Sequence, residues 1–149
     1  MIAKKQPYKI ISYPNRRKTS RVIPNKRPPK KPDANRAATL LAAIGGDVRF
    51  LPELHIPNIK NPDCEWRGVI WEIKTLHGDN YRNTRDAAHN ASKQSQNIII
   101  NAYCTKRDLN RIAMDIFHYL TSDKVACNME QILILGKKEY SLIKRSMLK

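Results

Sequence analysis

The sequence predicts an α/β (α+β) protein in which a mixed central sheet is flanked by helices. Segments with apolar residues at helical spacing alternate with short β-branched runs, in the order helix, strand, hairpin, helix, strand, helix, strand. The length of 149 residues fits one domain with modest appendages. We therefore expect a folded domain over residues 33–149, preceded by a segment of different character over residues 1–32.

The first 32 residues form a basic, proline-rich arm. They contain 11 Lys or Arg, no acid and six of the nine prolines, so the arm has a charge of +11 and the rest of the chain only +4. Such a composition buries little apolar surface, which predicts a largely disordered arm or linker. Nucleic acid is the natural polyanion for it. A solubilising or interdomain tail is the alternative interpretation.

The folded region begins with a helix and a strand. Asp33 is a suitable N-cap, an alanine- and leucine-rich stretch follows, and Gly45-Gly46 ends the helix. A strand is expected over residues 47–51, and prolines keep residues 52–62 irregular.

The remaining elements follow from apolar spacing. Residues 69–75 alternate with period two, which predicts a strand that exposes its two faces differently. The same reasoning predicts a loop over 76–83, a helix over 83–96, a buried strand over 97–102, a helix over 106–120, a strand over 131–135 and a short amphipathic tail over 140–148.

Arg67-Gly68 is predicted to be the two-residue loop of a hairpin, because glycine accepts a positive φ angle. That register places Asp63 opposite Glu72, with Cβ atoms about 5 Å apart. Lys74 lies two residues further on the same face, at about 7 Å. Two facing carboxylates repel unless a cation or a proton lies between them, so the hairpin is a candidate metal site. The full register pairs Trp66 with Val69, Glu65 with Ile70, Cys64 with Trp71 and Asp63 with Glu72.

The motifs Pro62-Asp63 and Glu72-Ile73-Lys74 resemble those of the PD-(D/E)xK nucleases, and the flanking elements resemble their restriction-endonuclease-like core. The resemblance implies that Asp63 and Glu72 bind a divalent metal, with the backbone carbonyl of Ile73 as a third ligand. Mg²⁺ is expected, and Mn²⁺ or Zn²⁺ is possible. Lys74 would activate the attacking water.

One feature departs from the family pattern. These nucleases often place a glutamate in the first helix, where this chain has Asn35 and Arg36. Asp47 and Glu53 are candidates to replace that glutamate. Either acid is equally compatible with a solvated position at the end of a strand.

A narrower resemblance is to the C-terminal nuclease domains of contact-dependent growth-inhibition toxins. It implies a bacterial toxin that cleaves tRNA in the bacterial cytoplasm after delivery as part of a larger protein, and that is neutralised by an immunity protein. Gln94 falls where related nucleases often keep a polar side chain near the site, and Thr75 and Lys93 are weaker candidates. The motifs are Asn35-Arg36-Ala37-Ala38, Gly46-Asp47-Val48, Leu51-Pro52-Glu53, Trp71 to Thr75, and Lys93-Gln94-Ser95 with Ile98 to Ile100.

Other function classes are weaker. No apolar run approaches the roughly 20 residues of a membrane span, so no membrane anchor is expected. Three cysteines without C-x-x-C spacing indicate neither a disulfide scaffold nor a zinc finger, and they suggest a reducing compartment. Metal-free chemistry through His77 or His89, a DNA endonuclease of the same fold, and a non-catalytic nucleic-acid-binding protein remain alternatives to the predicted ribonuclease.

Overall fold

The computed structural model describes residues 8–14, 20–24, 32–52, 61–78, 80–103, 105, 107–122 and 129–148. Within them, eight strands and three α-helices form one mixed sheet with helices on both faces, which confirms the predicted fold class. The elements are β1 Ile11–Ser12, β2 Val22–Ile23, α1 Pro32–Ile44, β3 Val48–Phe50, β4 Cys64–Trp66, β5 Val69–Thr75, α2 Tyr81–Ser92, β6 Asn97–Asn101, α3 Leu109–Ser122, β7 Gln131–Leu135, β8 Glu139–Lys144 and a 3₁₀ turn over Arg145–Leu148.

The strand order across the sheet is β1-β8-β7-β6-β5-β4-β3-β2. Strands β5, β6 and β7 are parallel neighbours, because α2 and α3 return the chain to the start of each following strand. The β3–β4, β4–β5, β7–β8 and β1–β8 pairs are antiparallel, and β2 pairs with β3 in parallel. The parallel centre is therefore bordered on both sides by antiparallel pairs.

Two apolar clusters hold the helices on the sheet. Alternate residues of β6 and β7 point to opposite faces, so that Ile98 packs with α2 and α3, whereas Ile99 packs with α1. A strand buried on both faces needs apolar residues at consecutive positions, which explains the unbroken run from Ile98 to Ile100.

Several predicted boundaries shift. Strands β5 and β7 have the predicted bounds, but α2 begins at Tyr81 because the side chain of Asn80 accepts a hydrogen bond from the Asn83 N–H at 3.0 Å. The predicted amphipathic tail over 140–148 contains a strand that was not predicted: residues 139–144 form β8, which pairs with the whole of β7. Its alternation buries Ser141 and Ile143 on one face.

Parts of the basic arm belong to the sheet. Strand β1 pairs with β8 and β2 with β3, while the ring of Tyr8 is buried in the cluster under α2 and α3. The hydroxyl of Ser141 also donates to the carbonyl of Lys9 at 2.8 Å. The prediction of disorder therefore fails for residues 8–14 and 20–24, and residues 1–7, 15–19 and 25–31 of the arm lie outside the described residues.

Candidate active site

The hairpin between β4 and β5 has the predicted register. Cys64 pairs with Trp71, Glu65 with Ile70 and Trp66 with Val69. Arg67 and Gly68 have φ angles of 53° and 73°, the left-handed pair that a two-residue hairpin turn requires. The Asp63 N–H donates to the carbonyl of Trp71 at 3.0 Å, although Trp71 is the partner of Cys64, so the strand pairing is offset at Asp63 and the predicted Asp63–Glu72 pair is not part of the register.

The carboxylate of Asp63 is fixed against the neighbouring strand. Its Oδ2 atom accepts a hydrogen bond from the backbone N–H of Ile73 at 2.7 Å, while its own carbonyl accepts one from Leu51. Ile73 lies between Glu72 and Lys74 in the sequence, so the Asp63 carboxylate contacts β5 at the residue between these two side chains. The backbone of two strands therefore positions this acid.

Glu72 is a buried acid on the α2 side of the sheet. Its neighbours Trp71 and Ile73 pack in the α1 cluster, so alternation directs Glu72 and Lys74 to the opposite face, where α2 contacts β5. The Lys74 Nζ atom lies 4.0 Å from Glu72 Oε2, and the two side chains are 35% and 8% exposed. The acid is thus enclosed, and the amine extends from it toward solvent.

The negative charges of this site affect the pKa of the buried Cys64 thiol. Burial, followed by the negative charges of Asp63 and Glu72, raises the pKa of Cys64 to about 12. Both carboxylates are therefore close enough to act on the same sulfur. At neutral pH the thiol therefore stays protonated.

The side chain of Gln94 contacts the backbone of the segment that leads to Asp63. It lies in the turn after α2 rather than inside the helix as predicted, and its Oε1 atom accepts a hydrogen bond from the Asn61 N–H at 3.2 Å. Asn61 lies two residues before Asp63, so Gln94 braces the segment that delivers this acid. Sequence analysis missed two further braces, Ser95 and Asn97, whose side chains both donate to the carbonyl of Ile70 on β5.

The other predicted acids are not part of this cluster. Asp47 precedes β3 at the hairpin end of β4, where it accepts hydrogen bonds from the N–H and guanidinium of Arg21. Val48 pairs with Trp66, the last residue of β4, so Asp47 lies beyond that end of the strand. Trp66 is three residues after Asp63, which corresponds to about 10 Å along a strand. Thr75 projects to the face opposite Lys74, and Glu53 lies outside the described residues.

The alternative histidines lie outside the β4–β5 hairpin. His77 is exposed after β5, and His89 on α2 is half-buried with Nδ1 3.5 Å from the Tyr119 hydroxyl. Within the described ranges, no group of three His, Cys, Asp or Glu side chains is arranged to hold a metal ion. The predicted donor set is smaller, since it uses only the two carboxylates Asp63 and Glu72 and one backbone carbonyl.

A family match to the sequence defines this chain as a toxin domain of the contact-dependent growth inhibition class. The family described as "Contact-dependent growth inhibition CdiA C-terminal domain" matches residues 60–139, more than half of the chain. The chain therefore belongs to the CdiA C-terminal domain family, whose members are delivered into target cells as part of a larger protein. The matched range includes Asp63, Glu72, Lys74 and Gln94 and excludes Asp47.

The fold is also similar to a solved structure, titled "CdiA-CT/CdiI toxin and immunity complex from Burkholderia pseudomallei". The TM-score is 0.59 at 22% identity, and the similarity covers 84% of this chain and 99% of that chain. Comparison with curated proteins gave no match. Among the described helices, none has the length and apolar character needed to cross a membrane.

Proposed function

We propose that this toxin domain is a metal-dependent endonuclease of the PD-(D/E)xK type that cleaves RNA, with tRNA as its favoured substrate. The observation that supports this most directly is the position of Asp63, whose carboxylate is bonded to the peptide N–H between Glu72 and Lys74. This contact holds the Asp63 carboxylate against the Glu72-Ile73-Lys74 segment, and the PD…ExK resemblance depends on these two motifs being adjacent. The fold similarity is compatible with the proposal.

The donor set fits a hard divalent cation. Asp63, Glu72 and the carbonyl of Ile73 offer oxygen ligands only, and Mg²⁺ prefers oxygens while retaining several waters. The Cys64 side chain packs in the α1 cluster, on the face opposite Glu72, so its sulfur is not part of this donor set. When bound, the metal lowers the pKa of a water and neutralises charge that develops on the phosphate.

Lys74 is the residue proposed to handle the attacking water. Its amine is partly exposed and lies beside the buried carboxylate of Glu72, which limits the directions in which the side chain extends. From there it can hydrogen-bond the water and assist its deprotonation. Gln94 acts indirectly, because its contact with Asn61 stabilises the approach to Asp63.

The chain's charge and family membership support the substrate and partner. A net charge of +15 favours a polyanion, and the growth-inhibition resemblance favours tRNA over DNA. The similar structure is a complex of toxin and immunity protein. We therefore propose that a cognate immunity protein neutralises this domain and that the domain acts in the bacterial cytoplasm.

Purified protein incubated with total tRNA or duplex DNA, in Mg²⁺, Mn²⁺, Zn²⁺ or EDTA, tests the proposal. We expect tRNA cleavage with Mg²⁺ or Mn²⁺ and none in EDTA. The control Asp63→Asn keeps an oxygen for the Ile73 N–H but loses the charge, so it should fold and fail to cleave.

Each other outcome contradicts a stated part of the proposal. Preferential cleavage of duplex DNA would show that the substrate is DNA rather than tRNA. Cleavage in EDTA would favour metal-free chemistry through His77 or His89. Binding of tRNA without cleavage under any metal would favour a non-catalytic binding protein.

A further inference from the structure

A basic ridge lies at the edge of the sheet where the parallel strands end. We define it as Arg36 on α1, Tyr103 after β6, and Lys137 and Lys138 after β7. The Arg36 guanidinium carbon is 4.4 Å from the centre of the Tyr103 ring, and the Lys137 Nζ atom is 6.0 Å from it. Arg36, Lys137 and Lys138 are exposed, so two cations lie beside one aromatic ring at this edge and a third follows in the same turn.

The lysine turn of the ridge is held in a fixed shape. The Tyr13 N–H donates to the carbonyl of Lys138 at 3.2 Å, and the Tyr13 hydroxyl donates to the carbonyl of Gly136 at 2.8 Å. A Cβ atom at Gly136 would lie 2.9 Å from the Glu139 carbonyl oxygen, so the tight turn requires glycine. The arm therefore presents the two lysines on a preorganised loop.

A cavity of about 260 Å³ borders the ridge but suits an anion poorly. Asp108 and Glu139 contribute carboxylates to its wall, and Arg107 is already ion-paired with Asp115. A phosphate would meet these acids inside the cavity. Contacts with an anion are therefore expected on the exposed side of Lys137 and Lys138.

We propose that the basic ridge binds unpaired nucleotides of the RNA next to the cleaved bond. Arg36, supported by the Tyr103 ring, offers a planar cation on which an unpaired base can stack. Lys137 and Lys138 supply contacts to the backbone phosphates. The binding of nucleic acid is inferred from the residues of the ridge themselves. Its position beside the cleaved bond rests on the proposed function.

The position of the ridge relative to Lys74 follows from the strand order. Lys74 is near the end of β5, Tyr103 follows β6 and Lys137 follows β7, and these are adjacent strands. Strands are about 4.8 Å apart, so β7 lies about 10 Å from β5. A short stretch of RNA backbone spans that distance.

The β7–β8 pair supplies a matched test of the phosphate contacts. Lys137 and Lys138 lie in its turn, whereas Lys144, opposite Gln131, and Arg145 lie at its other end. The variants Lys137→Gln/Lys138→Gln and Lys144→Gln/Arg145→Gln remove the same charge. Both are made in the Asp63→Asn background, and tRNA binding is measured in EDTA across salt concentrations.

We expect the turn variant to weaken binding and to reduce the slope of log affinity against log salt by about 1.4, or about 0.7 for each lost phosphate contact. The Lys144/Arg145 variant should leave the slope unchanged. Equal slopes for the two double variants would overturn the proposal.

Arg36→Lys tests the stacking contact, because it keeps the charge and removes the planar group. It should weaken binding of a single-stranded RNA oligonucleotide about fivefold or more and leave duplex RNA binding unchanged. Equal effects on both RNAs would contradict base stacking. These binding measurements do not require cleavage, so a wild type that fails to cleave would refute the nuclease and leave the ridge contact standing.

Discussion

The sheet has two halves of opposite character that meet at β5. On one side, β6 and β7 are parallel strands whose central residues are isoleucine and leucine with almost no exposed surface. On the other side, the β4–β5 hairpin carries Asp63, Glu72 and Lys74. The apolar half supplies packing between α1 and the α2–α3 layer, while the hairpin half uses the same frame to hold charges.

One cross-strand pair, Glu72 with Ile98, shows the difference between the charged half and the apolar half of the sheet. Glu72 on β5 is directly opposite Ile98 on β6, and both are buried beneath the same helices. Burying an isoleucine side chain stabilises a protein by about 1.5–3 kcal/mol, whereas burying a carboxylate costs free energy unless it is paired. The Lys74 amine, 4.0 Å from Glu72 Oε2, offsets part of this cost, and the proposed metal site gives a reason for an acid at this position.

Glu72→Gln should have the largest effect of any change at this pair. Cleavage should fall to the level without enzyme, because one of two charged metal ligands is lost. The melting temperature of the metal-free protein should stay equal or rise, since a buried charge is removed. Mg²⁺ should raise the melting temperature of the wild type more than that of the variant. Wild-type cleavage by the variant, or a much lower melting temperature without metal, would refute the paired-carboxylate site.

Lys74→Ala should separate catalysis from binding. It removes one of 28 basic residues, so RNA affinity should remain near that of the wild type. Turnover should fall about 10²–10⁴-fold if the amine assists the attacking water. Lys144→Ala, at the other end of the sheet, should lose neither. Similar modest losses of affinity and turnover would make Lys74 a phosphate contact only.

Ile98→Ala tests the apolar half at the position opposite Glu72. The buried side chain leaves a cavity, so the free energy of unfolding should fall by about 2–5 kcal/mol. Urea denaturation measures this loss, and a cleavage assay well below the new melting temperature should still show activity. Loss of activity in folded protein would show that the two halves are not separable.

Arg67→Ala tests how the hairpin is fastened to the rest of the sheet. The Arg67 Nε–H donates to the carbonyl of Gly45 at 2.8 Å, and its guanidinium lies 4.4 Å from the Trp66 ring. Loss of both contacts should cost about 1–2 kcal/mol in urea denaturation. Arg67→Asn, which tolerates the φ angle of 53°, should cost less than alanine. Equal costs would show that backbone conformation is unimportant there.

Asp47→Asn should have the smallest effect, confined to pH. The Arg21 N–H and then its guanidinium lower the pKa of Asp47. Because the folded value is the lower one, the stabilisation is present above the unfolded pKa of about 4 and is lost as pH falls through the folded pKa. The wild type should therefore melt above the variant at pH 6, with the difference disappearing near pH 2. A difference independent of pH would contradict this.

The hairpin could be predicted because its signals are local. Arg67-Gly68 sets a two-residue turn, and period two along residues 69–75 sets the faces, so the three pairs from Trp66–Val69 to Cys64–Trp71 follow. The offset at Asp63 depends on its side-chain bond to Ile73 and was not predicted. The catalytic roles of these residues stay predictions, since sequence spacing and backbone geometry do not measure chemistry.

The tertiary structure alone decided the outer strands and the braces of the site. Strands β1 and β2 have two residues each, too few for any periodicity, and they exist only because β8 and β3 offer unpaired edges. Gln94 reaches Asn61 across 33 positions of sequence. Asp47 is separated from Asp63 by the pairing of β3 with β4. Sequence patterns report interactions between near neighbours, whereas these placements depend on contacts between segments that meet only after the sheet is assembled.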